Sequence, residues 1–198
     1  MGSGAMSITV WTHKKATMHI HTTSLPGILL IEPEIFSDDR GYFFESFNLQ
    51  HFREQTGIQA AFVQDNQSRS RHGVVRGLHY QVGRPQGKLL RVVAGEVFDV
   101  AVDLRRNSAT FGRWCGVVLS SHNRRQLWIP PGFAHGFAVT SGAAEVLYKT
   151  TDYRVPDCQR SLRWNDPALD IAWPLSGAPV ISDKDRAAAL LADAEVYC

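Results

Sequence analysis

The sequence has few cysteines, no long apolar run, no excess of one charge and no repeat. Cys115, Cys158 and Cys198 are an odd three, widely spaced and in no C-x-x-C pattern. That excludes a disulfide framework and a cysteine zinc site, and it suits reduced thiols in a cytoplasmic protein. No window approaches the roughly 18 uninterrupted apolar residues of a membrane span, so no membrane partner is expected. Lys plus Arg is 21 and Asp plus Glu is 19, a formal net charge of +2, so no generic basic face is available for a nucleic-acid polymer. No Pro/Gly/Ser linker divides the 198 residues, and a chain of this length reads as one domain. No Gly-rich dinucleotide loop follows a strand.

What is present is β-rich. Residues 1–5 (Met1-Gly2-Ser3-Gly4-Ala5) read as an expression-tag remnant, extending at most to residue 17, and the domain is expected over 18–198. Gly and Pro punctuate the chain at short intervals. Residues 28–31 read as a strand closed by Pro33, residues 41–47 as aromatic and extended, and residues 50–55 as a helix closed by Gly57. The β-branched runs 89–93 and 97–104 flank Ala94-Gly95-Glu96 and predict a hairpin. In its second strand Phe98, Val100, Val102 and Leu104 point one way, Asp99 and Asp103 the other. Residues 114–119, 126–129, 137–139 and 145–151 predict four more strands. Residues 185–194, rich in Ala and Leu and preceded by Ser182 as N-cap, predict a C-terminal helix. Many short strands with regular turns mean an all-β sandwich or barrel with one or two peripheral helices.

Two segments carry the chemistry. Gly73-Val74-Val75-Arg76-Gly77-Leu78-His79-Tyr80-Gln81 and Pro130-Pro131-Gly132-Phe133-Ala134-His135 resemble the two motifs of the cupin jelly rolls. Either histidine alone would be an ordinary surface or core residue; the Gly and Pro frames set them apart. A metal-binding cupin would carry a second histidine where Gln81 stands and a glutamate near Gln86. Amides are weak ligands beside imidazole and carboxylate, and Lys88 would repel a cation. A jelly-roll pocket without a catalytic metal is therefore expected.

Longer runs narrow the resemblance. They include Asp39-Arg40-Gly41-Tyr42-Phe43-Phe44-Glu45-Ser46, Phe62-Val63-Gln64-Asp65-Asn66, Gln86-Gly87-Lys88, Gly95-Glu96-Val97-Phe98-Asp99-Val100-Ala101-Val102-Asp103, Leu147-Tyr148 and Ser182-Asp183-Lys184-Asp185. In order and spacing these resemble the dTDP-4-dehydrorhamnose 3,5-epimerase family across most of the chain. The resemblance implies a metal-free, cofactor-free enzyme that takes a dTDP-4-keto-6-deoxyhexose. It inverts C3 and C5 by removing a proton on one face and returning one on the other.

By the same resemblance His79 is the base, Asp185 the carboxylate behind it, Tyr148 the opposite-face acid and Lys88 the cation at the enolate oxygen. Ser182-x-x-Asp185 is also a capping-box pattern, and both roles for Asp185 stay open. Tyr148 would otherwise be a core aromatic, and Lys88 a solvated strand-edge lysine. Arg40, Arg76, His135 and Lys184 match substrate and pyrophosphate contacts, while Glu45, Gln64, Asp65 and Asn66 match positions that shape the nucleotide and sugar site. Singly, each would pass for a salt-bridge or turn residue. The family also implies a homodimer.

Two positions depart from the family pattern. Arg154 follows Tyr153 where a second Tyr is usual at the base, and Gln159 stands where a Glu is usual in the substrate site. A guanidinium can itself stack on a base, and Tyr153 could substitute with a register shift. Epimerisation at C3 or C5 alone, a metal-dependent cupin enzyme and a non-catalytic sugar-nucleotide-binding cupin are the alternatives to be separated.

Overall fold

The computed structural model describes residues 17–198; the segment read as a tag remnant, 1–5, lies outside them. The strands are β1 (Met18–Thr22), β2 (Leu29–Pro33), β3 (Phe36–Asp38), β4 (Gly41–Phe43), β5 (Gln64–Arg71), β6 (Val75–Gln81), β7 (Lys88–Ala94), β8 (Glu96–Asp103), β9 (Trp114–Ser120), β10 (Gln126–Ile129), β11 (Phe133–Val139), β12 (Ala143–Thr150) and β13 (Gln159–Ser161). Two helices, α1 (Leu49–Thr56) and α2 (Asp183–Arg186), lie outside the sheets. A six-stranded sheet runs β1-β2-β10-β7-β12-β5, a five-stranded sheet runs β13-β6-β11-β8-β9, and β3 and β4 form a separate two-stranded ribbon. The two large sheets face each other as a jelly roll, the expected all-β class with short peripheral helices. No helix among the described residues is long and apolar enough to cross a membrane.

The predicted hairpin at residues 89–104 is two strands in different sheets. β7 pairs with β10 and β12, whereas β8 pairs with β11 and β9. Gly95 turns the corner between them at φ 74, where a Cβ would fall 1.9 Å from the Ala143 carbonyl oxygen. Alternation in β8 could not reveal this, because both of its faces are buried. Val97 and Ala101 join the core between the sheets, with Leu90, Val92, Leu119, Phe137 and Val146. Val100, Val102 and Leu104 pack outward against Leu78, Leu162 and Leu169. Each such apolar side chain stabilises the fold by roughly 1.5–3 kcal/mol when fully buried.

α1 forms as expected, bounded at both ends by its caps. The Asn48 side chain accepts from the Gln50 and His51 amides, and Gly57 at φ 75 ends the helix in the left-handed conformation. Phe52 is buried on the outer face of the six-stranded sheet, edge-on to Phe62 and Trp128. The extended stretch expected over 41–47 is shorter: only Gly41–Phe43 pairs, with Phe36–Asp38.

The expected C-terminal helix is also corrected. Helix geometry stops at Arg186, and the chain then runs as a strap across the outer face of the five-stranded sheet. Ala189 bridges Leu162 and Tyr197 bridges Arg105, with Arg106 N–H donating to the Tyr197 carbonyl at 2.8 Å. Burial of Ala188 and Ala194 together with these backbone bonds overrides the intrinsic helix preference of Ala and Leu. Just before α2, Val180 bridges Val74, and this fastens the Ser182–Asp185 segment to the start of β6.

Candidate active site

Between the sheets one region is filled by the apolar core and another is an open cleft of about 590 Å³. β6 and β11 form one wall. On β6, Leu78 and Tyr80 turn outward into the core cluster beneath the C-terminal strap, so by strand alternation His79 and Gln81 turn inward. His135 on β11 is the direct cross-strand partner of His79. The two strands approach so closely that a Cβ on Gly77 would stand 2.6 Å from the Gly136 Cα. The facing wall comes from the other sheet: Lys88 on β7, Tyr148 on β12, and Gln64, Asn66 and Ser68 on β5. Lys149 turns to the outer face, where its ammonium meets the Asp65 carboxylate at 2.9 Å.

His79 is half-exposed to the cleft, and its Nε2 lies 2.6 Å from Oδ1 of Asp185. Asp185 has only 5% of its side chain accessible. Its second oxygen accepts the Gly77 N–H at 3.3 Å, while its own N–H donates to the Ser182 hydroxyl at 3.2 Å. The Ser182 cap therefore uses the Asp185 backbone, while the Asp185 carboxylate is given to His79 and Gly77. Burial alone would raise the Asp185 carboxyl, but the hydrogen bond and charge of His79, the Gly77 N–H and the Ser182 hydroxyl outweigh it and hold the group below its ordinary value.

The neighbouring histidine has the same arrangement in a drier setting. His135 Nε2 lies 2.9 and 3.0 Å from the two oxygens of Asp99, a carboxylate with no accessible surface. Burial lowers the His135 pKa, and Lys88 and His79 push the same way against the opposing pull of Asp99. Asp99 was not among the expected site residues. Its signal in the sequence was an acidic residue inside the apolar run of β8.

Lys88 is 7% exposed, and its Nζ donates to the His79 carbonyl at 3.1 Å. Removal from water pushes its pKa down to about 8, with Asp99 partly opposing. An ammonium has three N–H bonds, so further donors remain for a ligand oxygen. Burial raises the Tyr148 phenol, and the nearby Arg76 and Arg154 charges partly offset the rise. The phenol is therefore protonated at neutral pH and can act as an acid.

The cleft is lined by Gln64, Asn66, Arg76, His79, Lys88, His135, Tyr148, Arg154, Gln159, Lys184 and Asp185 of the expected set. Four expected residues do not line it. Asp65 faces outward on β5, because Gln64 and Asn66 take the inward face. Tyr153 is 56% exposed at the surface. Arg40 is ion-paired to Asp38 in the β3–β4 ribbon, and Glu45 is bound to His51 at 2.6 Å and Asn48 at 3.0 Å. Gln81, Gln86, Ser68, Phe137 and Arg160 line the cleft as well; apart from the two amides noted at ligand positions, nothing in their own sequence context marked them.

The four positions at which a metal-binding jelly roll would hold its ion do not fit a cation. His79 and His135 are bound to carboxylates, and Gln81 and Gln86 are bound to backbone groups. The Lys88 ammonium stands among them. Among the described residues no three His, Cys, Asp or Glu side chains gather into a metal-binding group.

Comparison with known proteins follows the same line. The family described as dTDP-4-dehydrorhamnose 3,5-epimerase matches residues 22–193. An enzyme of that description from Pseudomonas aeruginosa is 58% identical over 174 residues, 88% of this chain and 96% of the relative. One from Salmonella typhimurium is 55% identical over 175 residues, with coverage of 88% and 96%. A crystal structure from Legionella pneumophila, described as a dTDP-6-deoxy-D-glucose-3,5-epimerase in complex with dTDP-4-keto-L-rhamnose, superimposes with a TM-score of 0.88 at 52% identity, covering 90% of this chain and 95% of that one.

Proposed function

The chain belongs to the dTDP-4-dehydrorhamnose 3,5-epimerase family, and from that premise we propose that its proton transfers are carried by His79 with Asp185 on one wall of the cleft and by Tyr148 on the other. The enzyme converts dTDP-4-dehydro-6-deoxy-D-glucose into dTDP-4-dehydro-L-rhamnose. The C4 ketone acidifies the protons on C3 and C5. His79 takes one of them, and the electron pair moves onto O4 as an enolate. Asp185 stabilises the imidazolium so formed. Lys88 meets the negative charge on O4 from a site already dry and fixed, so little reorganisation opposes it. Tyr148 then delivers a proton to the opposite face of the carbon, which inverts it, and the phenolate and imidazolium re-equilibrate with solvent. The same sequence at the second carbon completes the conversion.

The observation that carries this assignment is the placement of the His79–Asp185 pair and Tyr148 on opposed sheets of one cleft. Arg76, Arg154 and Lys184 supply positive charge for the pyrophosphate, and Gln64, Asn66 and Gln159 supply amides for the base and sugar. We infer a single domain over 18–198, a cytoplasmic setting suited to a sugar nucleotide and free thiols, and a homodimer. The dimer is supported by the exposed aromatics Tyr42 and Phe43 on the β3–β4 ribbon, beside Arg40 and Glu45, which in the monomer stand apart from the cleft.

Proton NMR of the substrate with enzyme in D₂O tests the assignment. Deuterium is expected at C3 and C5 with the wild type and at neither with His79→Ala. Undiminished exchange in the variant would remove His79 from the role of base.

A further inference from the structure

The two amides that stand where a metal-binding jelly roll carries ligands have another task. Gln81 is 2% exposed, and both ends of its carboxamide are engaged. Oε1 accepts the Val155 N–H at 2.8 Å; Nε2 donates to the carbonyls of Arg84 at 2.9 Å and Tyr153 at 3.2 Å. Gln86 Nε2 donates to the Asp152 carbonyl at 2.7 Å, which also accepts the Thr150 hydroxyl at 2.9 Å. Residues 152–155 are in neither helix nor strand, and Tyr153 and Arg154 in their middle are exposed. A segment with so little apolar burial keeps its place through such bonds. It delivers one residue to the cleft, Arg154, whose N–H donates to Gln64 Oε1 at 3.0 Å and whose guanidinium donates to Gln159 Oε1 at 3.2 Å.

We propose that Gln81, assisted by Gln86, is a positioning residue for nucleotide binding: it clamps the 152–155 loop so that Arg154 presents its guanidinium to the nucleotide portion of the substrate. The inference rests on the cleft taking a nucleoside-diphosphate sugar. The side-chain chemistry is specific. Two carbonyls take N–H donors and one amide takes an acceptor, all from one buried carboxamide. A glutamate would set a carboxylate against two carbonyl oxygens, and an apolar side chain would leave all three groups unpaired.

The test compares Gln81→Met, Arg154→Ala and the double variant with the wild type. Affinity for dTDP is measured by calorimetry, and KM and kcat with the 4-keto sugar nucleotide. Gln81→Met is expected to raise the dTDP Kd and KM about tenfold, the loss of one well-placed ligand contact, with kcat changed no more than about twofold. Deuterium wash-in at saturating substrate and the pH dependence of kcat should stay as in the wild type. In the double variant the Gln81 change should add nothing to Arg154→Ala. Effects that multiply, or a fall in kcat at unchanged KM, would overturn the clamp. If Gln81→Met does not fold, Gln86→Met enters the same cycle, and independence from Arg154→Ala overturns the proposal equally. Failure of the wild type to exchange C3 or C5 would instead defeat the epimerase assignment, while the dTDP affinities would still decide the clamp.

Discussion

His79 and His135 stand directly opposite each other on β6 and β11, yet each is hydrogen-bonded to a carboxylate from a different part of the chain, Asp185 and Asp99. Burial, with a smaller push from the Lys88 ammonium, holds the His135 pKa down against the pull of Asp99, so its ring is suited to hydrogen-bond a ligand in the neutral form. His79 opens to the cleft.

Asp185→Asn separates the carboxylate from its capping role, since the Ser182 cap uses the Asp185 backbone N–H. We expect kcat to fall by about 10²–10⁴, the range for losing the carboxylate behind a catalytic base, with KM changed little. A coupled assay measures both. A variant with wild-type kcat would show that the carboxylate only fastens the strap.

Tyr148→Phe keeps the ring and removes the proton. Wash-in of deuterium at the first carbon should persist while net inversion falls by about 10²-fold or more. Equal losses of exchange and inversion, measured on one NMR time course, would count against the phenol as the opposite-face acid.

Lys88, with a pKa near 8, predicts two pH effects. In kcat/KM the cation is lost as pH rises through about 8, so the rate should fall above that value. For stability the sign is opposite. Between pH 8 and the ordinary lysine value of 10.5 the unfolded chain holds more protons than the native one, so stability rises with pH across that window. Lys88→Met should abolish the rise and be at least as stable as the wild type at pH 7, by up to about 2 kcal/mol, while losing activity. Urea unfolding at several pH values checks this.

Gly95→Ala tests the corner between the sheets. The new methyl would meet the Ala143 carbonyl oxygen at 1.9 Å in a left-handed backbone position. A loss of about 3 kcal/mol or more is expected, visible as a drop in the denaturant midpoint. A loss below 1 kcal/mol would mean that the corner relaxes freely.

Much of the site could be read in the sequence because its residues sit inside long local runs. The Gly73–His79 and Pro130–His135 spacings, Gln86-Gly87-Lys88 and Ser182-x-x-Asp185 each bring residues to the one cleft. β5 escaped notice for a physical reason. Its inward residues Gln64, Asn66 and Ser68 line a polar cleft, so no apolar alternation marks the strand.

The sequence by itself determined the strand-rich class, most strand positions and the Gly57 end of α1, because these depend on neighbours a few positions away. Only the tertiary structure decided which sheet each strand joins. β7 and β8 part at Gly95 because β8 buries both faces, one against the core and one against the C-terminal strap. It also decided which carboxylate meets which histidine, and which of the expected residues face the cleft. Those relations join residues such as His79 and Asp185, 106 positions apart, and they exist only once packing has closed the sandwich.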